Sequence, residues 1–153
     1  DFYDVFPLAA DRWRLFLGDV CGKGPEAATL TSLPRYTLRT AAILKEDPAA
    51  ALVDLNTALF LERTDELPMC TVVYGHIDRL ADGGFALSLA VAGHPSPVIV
   101  RASSDVETVS SGGPLLGAIR DPAFETCGVV LGPGTQPSST ATACSTSTTP
   151  ETA

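Results

Sequence analysis

The stretch of sequence that decides the fold reads LGDVCGKGP and occupies residues 17–25. The residues before it alternate between two faces, a period that predicts a strand buried mainly on one of them; Trp13, Leu15 and Leu17 form one face, and Arg12, Arg14 and Phe16 the other. Pro25 and Glu26 suit the first turn of a helix, where a proline has no amide hydrogen bond to lose and an acid complements the helix dipole. The stretch therefore predicts a strand that ends at Gly18, a glycine-rich turn and a helix.

Outward from this turn, the chain continues as two helices and then a sheet. Apolar residues at a helical period extend the first helix to Leu44, with a kink or break expected at Pro34. Asp47 and Pro48 form a typical helix start, and the second helix is predicted to end near Arg63. Short apolar runs then predict strands, with an Asp-Gly hairpin turn between the first two and a meander after it; they occupy residues 70–77, 84–92, 97–101, 106–109 and 124–131. The pattern indicates an α+β fold in which helices cover one face of an antiparallel sheet.

Length and composition indicate a single compact domain. The chain has 153 residues, of which 45% are hydrophobic and 18% charged, so it contains enough apolar material for one core. A net charge of −8 argues against a nucleic-acid partner and is compatible with a divalent-cation site. No apolar run is long enough to cross a bilayer, so we expect no membrane insertion. The four cysteines are too far apart in the sequence for a zinc pair or a dense disulfide framework, so a reduced, cytoplasmic protein is expected.

The two ends of the chain differ from its middle. The first residue is Asp1 rather than methionine, and a functional motif starts immediately, so we expect a piece of a longer protein. Residues 135–153 contain seven Thr, four Ser, three Ala and two Pro, without a Leu, Ile, Val, Met or aromatic residue. Such a segment cannot supply a core strand, and its composition is typical of a low-complexity linker. The domain is therefore assigned to residues 1–134, and a separate tail to residues 135–153.

Acidic residues stand beside two predicted strand ends. Asp1 opens the short segment at the start of the chain, and Asp19 follows the strand of residues 12–17. If the first segment pairs with that strand, the two carboxylates meet at one rim of the sheet, as a carboxylate-bridged pair of Mg²⁺ or Mn²⁺ ions requires. The same residues could equally be solvated charges and turn formers. The glycine spacing fits neither the Walker pattern nor the dinucleotide-binding pattern, which argues against a nucleotide phosphate loop.

Five segments, taken together and in order, resemble a known family. They are DFYD at residues 1–4, LGDVCGKGPEAA at 17–28, RYTLR at 35–39, AGHPSP at 92–97 and GPLLG at 113–117. These look like consecutive landmarks of the SpoIIE-like group of bacterial metal-dependent PPM serine/threonine phosphatases. The resemblance implies an αββα sandwich, incomplete in this chain, with two Mn²⁺ or Mg²⁺ ions at its centre. It also implies hydrolysis of phosphoserine or phosphothreonine on a small partner protein, of the anti-sigma-factor antagonist type, and sensor domains upstream.

The resemblance also implies roles for individual residues. Asp1 matches a metal-site carboxylate, Asp19 matches the carboxylate that bridges the two ions, and the main-chain carbonyl of Val20 matches a further ligand. Asp4 matches the second acid of the opening motif, with a weaker metal role. Lys23 is placed either near the substrate phosphate or as a solvated charge at the helix entry. In such enzymes the two ions activate water for in-line attack on phosphorus, so neither a catalytic side chain nor a phosphoenzyme is required.

The remaining polar residues have plainer interpretations. Arg35 and Arg39, four residues apart on the first helix, share a face that could receive a phosphoprotein or simply face solvent. His94 and His76 lack a paired metal-ligand spacing, so we assign them turn or packing roles. Asp78 and Asp82, which flank the predicted hairpin turn, are assigned to loops.

The chain departs from the family after Gly134. The family continues there with a hydrophobic strand that carries another metal-site acid, whereas this chain enters its Thr/Ser-rich tail. Reading the degenerate codons one base earlier would turn Thr135 into an aspartate and restore aliphatic residues after it. We therefore interpret residues 135–153 as a frameshifted reading, and an intact frame in the DNA across the codons for Gly134 and Thr135 would contradict this. A chain without that acid and strand is expected to be poorly active, which leaves a catalytically inactive phosphatase-like binding module as the alternative function.

Overall fold

The computed structural model describes residues 1–22, 31–62, 69–101 and 103–132. The strands in this part of the chain are β1 (Phe2–Ala9), β2 (Arg12–Val20), β3 (Cys70–Arg79), β4 (Phe85–Ala92), β5 (Val98–Val100), β6 (Val106–Thr108) and β7 (Cys127–Leu131), and the helices are α1 (Ser32–Leu44) and α2 (Pro48–Leu61). This content confirms the α+β prediction. The predicted helix start at Pro25 and the tail after Gly134 lie outside the described residues.

Five strands form one antiparallel sheet in the order β1-β2-β3-β4-β7. β3 and β4 form the predicted hairpin, in which Gly83 adopts a φ of 87° and the Asp82 carboxylate accepts a hydrogen bond from the Gly84 amide at 2.9 Å. The prediction of a continuous meander is wrong beyond β4, because β5 and β6 leave this sheet and pair with each other. β7 then returns to pair with β4 at the edge of the sheet.

Both helices pack on one face of this sheet and form most of the core there. α1 contributes Leu38 and Ala41, α2 contributes Leu52 and Leu55, and none of these side chains is more than 4% exposed. Burying each leucine stabilises the fold by roughly 1.5–3 kcal/mol. Pro34 lies in the first turn of α1, where a proline removes no intrahelical hydrogen bond, so the expected kink at this residue is not needed in α1.

The start of α2 is fixed by Asp47, as predicted. Its carboxylate accepts hydrogen bonds from the Ala49 amide, at 3.3 Å, and from the Thr126 hydroxyl. The same amide also donates to the Thr126 hydroxyl oxygen at 3.1 Å. Because Thr126 directly precedes β7, these bonds join the helix start to the strand that returns to the sheet.

The hairpin of β5 and β6 packs on the opposite face of the sheet. Ile99 and Val109 form a second buried cluster there with Leu89, Val129 and Leu131. The described residues thus form a helical layer, a five-stranded sheet and a two-stranded second sheet. This arrangement agrees with the incomplete αββα sandwich that the resemblance implied. Neither helix in the described ranges is long and apolar enough to span a membrane.

Strand β2 is buried mainly on one face, as predicted, but the more buried face carries Arg14 and Phe16 rather than the apolar residues Trp13, Leu15 and Leu17. Arg14 and Phe16, on the side of the helices, are 0% and 2% exposed, whereas Leu15 on the other face is partly exposed. The guanidinium of Arg14 lies 3.4 Å from Oδ1 of Asp78 and donates a hydrogen bond to the Trp13 carbonyl at 3.0 Å. The loop assignment of Asp78 is therefore wrong, because this residue belongs to β3 and is a partner of the buried arginine.

β2 also runs further than the sequence predicts. The predicted strand end at Gly18 is wrong, because Asp19 and Val20 remain paired with Thr71 and Cys70 of β3. Asp19 therefore belongs to a regular strand and not to a loop. The backbone of β3 fixes its position at the end of the sheet.

Candidate functional site

Four strand ends meet at one rim of the sheet: the start of β1, the end of β2, the start of β3 and the end of β4. Phe2 pairs with Gly18, so Asp1 lies beside Asp19, and Asp19 in turn pairs with Thr71. The main-chain nitrogen of Asp1 lies 3.2 Å from Oδ1 of Asp19, and the two side chains are 72% and 60% exposed. The structure thus brings the two predicted acids together at a solvent-facing edge. We call Asp1, Asp19 and Thr71 the rim site.

The rim site carries two acidic side chains. A cation bound near both Asp1 and Asp19 would offset the repulsion between carboxylates on neighbouring strands. Their carboxylates, together with the carbonyl group of Val20 at the same strand end, are oxygen ligands of the kind that Mg²⁺ and Mn²⁺ prefer. Within the described residues, no group of three or more His, Cys, Asp and Glu side chains is placed to hold a metal ion. The further acid expected after Gly134, and Lys23, lie outside the described part of the chain.

Gly18 allows the close approach of strands beside the rim site. A β-carbon at this position would lie 2.5 Å from Cζ of Phe2 and closer still to the carbonyl oxygen of Thr71. Phe2 is 1% exposed, and the Thr71 oxygen belongs to the backbone of β3, so neither neighbour can easily move away. The glycine before Asp19 is therefore required by packing.

Replacing Gly18 with alanine should destabilise the domain by about 1–3 kcal/mol, because the new methyl group forces Phe2 or β3 to shift. The measurement is the midpoint of urea unfolding, followed by circular dichroism. Gly112 provides a matched control, since nothing lies within 4 Å of a β-carbon built there, and Gly112→Ala should leave the midpoint unchanged. Equal midpoints for the two variants would contradict the tight packing at Gly18.

His94 contacts the rim site. The sequence predicted only a turn or packing role for this residue. Its Nδ1 lies 2.8 Å from Oγ1 of Thr71, and Thr71 is the cross-strand partner of Asp19. Burial lowers the pKa of His94, and the Asp19 carboxylate opposes this change. The predicted hairpin of β3 and β4 could have indicated this contact, because antiparallel pairing brings the residues after β4 beside the start of β3.

Two further segments hold His94 in place. The preceding Gly93 adopts a φ of 59°, and its amide donates a hydrogen bond to the Gly113 carbonyl at 3.0 Å. The loop that follows Gly113 is held by the buried Asn56 of α2, whose side-chain oxygen accepts a hydrogen bond from the Gly117 amide at 2.9 Å. The Asn56 amide group donates to two further carbonyls of that loop. The GPLLG segment therefore supports the turn that carries His94.

Asp4 follows Asp1 by three residues, so its side chain lies on the opposite face of β1 and is not brought to the rim site. Its Oδ2 accepts from Nε and Nη2 of Arg39, both at 2.8 Å, and lies 3.5 Å from Nη1 of Arg35. The Arg39 guanidinium also lies 4.5 Å from the ring centre of Phe6. Asp4 therefore has two arginines as partners, and Arg35 keeps a side chain that is 39% exposed.

A second polar cluster is buried between the sheet and the helices, away from the rim site. Arg14, Tyr74 and His76 are 0%, 0% and 3% exposed, and the rings of Tyr74 and His76 meet edge to face with their centroids 5.4 Å apart. Burial raises the pKa of Tyr74 to about 12. Burial, together with the charge of Arg14, lowers the pKa of His76 to about 4. His76 thus has the packing role that the sequence predicted.

Comparisons with known proteins found one matching family model and several similar solved structures. A family model described as Stage II sporulation protein E (SpoIIE) matches residues 9–136. A solved structure of RsbU and RsbW domains from Mycobacterium tuberculosis superposes with a TM-score of 0.65 at 28% identity, over 82% of this chain and 34% of that one. No curated protein sequence matches the chain.

Two further solved structures share the fold. One contains the PP2C phosphatase domain and a fragment of the regulatory domain of SpoIIE from Bacillus subtilis; its TM-score is 0.66 at 22% identity, over 84% of this chain and 36% of that one. The other is the SiaA PP2C domain of Pseudomonas aeruginosa, with a TM-score of 0.67 at 23% identity, over 87% of this chain and 51% of that one. The chain therefore spans between 34% and 51% of the length of these three solved chains.

Proposed function

This chain belongs to the SpoIIE family, and from that premise we propose that it is a metal-dependent protein serine/threonine phosphatase acting in the cytoplasm. The observation that carries the proposal is the meeting of Asp1 and Asp19 at an exposed strand rim. The proposed substrate is a phosphoserine or phosphothreonine on a small regulatory protein of the anti-sigma-factor antagonist type. The occurrence of RsbU and RsbW domains together in the Mycobacterium tuberculosis structure supports a partner from sigma-factor regulation.

Asp1, Asp19 and the carbonyl group of Val20 are the proposed ligands of Mn²⁺ or Mg²⁺. When bound, a pair of such ions supplies the activation of water and neutralises charge on the phosphoryl oxygens. The contribution of the chain itself is geometric, since β1, β2 and β3 hold the two carboxylates on neighbouring strands and Gly18 lets these strands approach. These side chains bind and orient the reactants and form no covalent bond with phosphorus.

The exposure of the rim site favours a protein substrate. The Asp19 side chain, which is 60% exposed, lies on an open surface, whereas sites for small molecules are usually enclosed clefts. A phosphorylated side chain on another protein can approach such a surface directly. Lys23 and the partly exposed Arg35 are the proposed cationic contacts for this partner.

The alternative function is a catalytically inactive phosphatase-like module that binds a phosphorylated regulator. One observation favours it: among the residues that the structure describes, no third His, Cys, Asp or Glu side chain completes a metal-binding group at the rim site. Divalent hard cations are usually held by more oxygen ligands than two carboxylates provide. Such a module would bind the phosphoprotein and leave its phosphoester intact.

Release of inorganic phosphate distinguishes the two functions. The full-length gene product, incubated with a phosphorylated anti-sigma-factor antagonist and Mn²⁺, should release phosphate, and EDTA should stop the release. Titration calorimetry measures Mn²⁺ binding on the same samples. A protein that binds the phosphoprotein but releases no phosphate fits the inactive module, and a protein that binds neither Mn²⁺ nor the phosphoprotein contradicts both functions.

A further inference from the structure

We infer that His94 binds the phosphoryl group of the substrate at the rim site and that Thr71 positions it for this role. The inference rests on the proposed function and adds a hydrogen-bond donor to it. It starts from the contact of 2.8 Å between Oγ1 of Thr71 and Nδ1 of His94. Thr71 and His94 are not among the proposed ligands of the cation.

The pairing of strands places His94 beside these carboxylates. Val72 pairs with Ala92, so the turn after β4 passes the start of β3, where Thr71 lies. Thr71 pairs on its other side with Asp19. His94 and Asp19 are therefore both neighbours of Thr71, at the same rim of the sheet.

A phosphoryl group needs hydrogen-bond donors as well as a cation. The ionised carboxylates of Asp1 and Asp19 can only accept hydrogen bonds, whereas a hydroxyl group and an imidazole can donate them. If the Thr71 hydroxyl donates to Nδ1, the ring proton of His94 is on Nε2. Because His94 is partly exposed, a substrate arriving from solvent can reach this N–H group. The Thr71 hydroxyl thus selects the tautomer that presents a donor to a non-bridging phosphoryl oxygen.

The two histidines of the chain allow a direct test by ring ¹⁵N NMR on the 153-residue chain. In the presence of Mg²⁺, His94 should carry its proton on Nε2, and inorganic phosphate should shift the resonance of that nitrogen. His76 is 3% exposed and serves as the internal reference, because phosphate cannot reach it. Thr71→Val removes the hydroxyl group, so this variant should mix the two tautomers of His94 and reduce the shift.

Substitution of His94 provides a second readout. His94→Ala should weaken the binding of inorganic phosphate about tenfold, as measured by calorimetry, since a charge-assisted hydrogen bond is lost. In phosphoprotein hydrolysis the same variant should raise KM more than it lowers kcat. His94→Gln places an amide donor at a similar reach and should recover most of the affinity.

The outcomes separate this inference from the proposed function. A ring proton on Nδ1 overturns the inference, and so does a His94 resonance that phosphate leaves unchanged while calorimetry detects phosphate binding. In both cases manganese-dependent phosphate release by the unsubstituted protein would leave the proposed function standing. A chain that binds neither a divalent cation nor phosphate overturns the proposed function together with the inference.

Discussion

Replacing Asp19 with asparagine should abolish manganese-dependent phosphate release, with an initial rate reduced at least about a hundredfold. Asparagine preserves the size of the side chain but removes its negative charge and one of the two carboxylate oxygens that hold a hard cation. The Asp19 side chain is 60% exposed, and its residue pairs with Thr71 through the backbone, so the fold should survive the substitution. The measurements are the initial rate of phosphate release from a phosphoprotein and the Mn²⁺ affinity by titration calorimetry.

Asp11→Asn is the matched control for this experiment. Asp11 precedes β2, at the end of the strand opposite to Asp19 and roughly 25 Å away along it. Its side chain is 64% exposed, and its loss should change neither the rate nor the Mn²⁺ affinity. Unfolding midpoints of both variants show whether the domain remains folded. Full turnover by Asp19→Asn would mean that Asp19 is not a metal ligand, and the observation that carries the proposed function would be lost.

The meeting of Asp1 with Asp19 could be predicted from the sequence because strand pairing has a fixed period. An apolar segment directly before an alternating strand, joined to it by a short turn, brings the far ends of both to one rim. The start of α2 at Asp47 and the turn at Gly83 were also predictable, since capping residues and positive-φ glycines are local signals. The predicted strand end at Gly18 was wrong because a glycine was interpreted as a turn residue, although here it permits close packing within the sheet.

Contacts between distant segments could not be predicted in this way. Asp4 and Arg39 are 35 residues apart and meet only because α1 packs over β1. The bond between Thr71 and His94 depends on one particular register of β3 and β4. Arg14 belongs to a residue type that is usually exposed, so only the packing of helices on the sheet reveals that it is buried.

The burial of Arg14 has a large consequence for its neighbour His76, which lies opposite it in the register of β2 and β3. His76 is 3% exposed, and its imidazole would have to take up a proton without solvation and beside a second positive charge. Burial is the larger cause and Arg14 the second cause of a pKa lowered to about 4; Arg12 lowers the pKa further, while Asp78 and Glu46 oppose the shift.

Acidification should therefore destabilise the domain through His76. In the unfolded chain this imidazole takes up a proton near pH 6.5, whereas the folded protein keeps it neutral down to a pKa of about 4, so the unfolded state binds more protons between these values. The stabilising contribution is complete above the unfolded pKa and is lost as the pH falls through this window. The full loss amounts to about 3 kcal/mol of unfolding free energy, since each pKa unit corresponds to about 1.4 kcal/mol.

Urea unfolding at a series of pH values between neutral and acid measures this effect when the wild type is compared with His76→Phe. Phenylalanine keeps a ring against Tyr74 and cannot be protonated, so the variant should lose this part of the acid sensitivity. His94→Gln should keep it, which separates the contribution of His76 from that of the other histidine. The comparison isolates the histidines, because each variant removes one imidazole and leaves every other ionisable group in place. Equal pH dependence of the wild type and His76→Phe would mean that burial beside Arg14 does not hold His76 neutral.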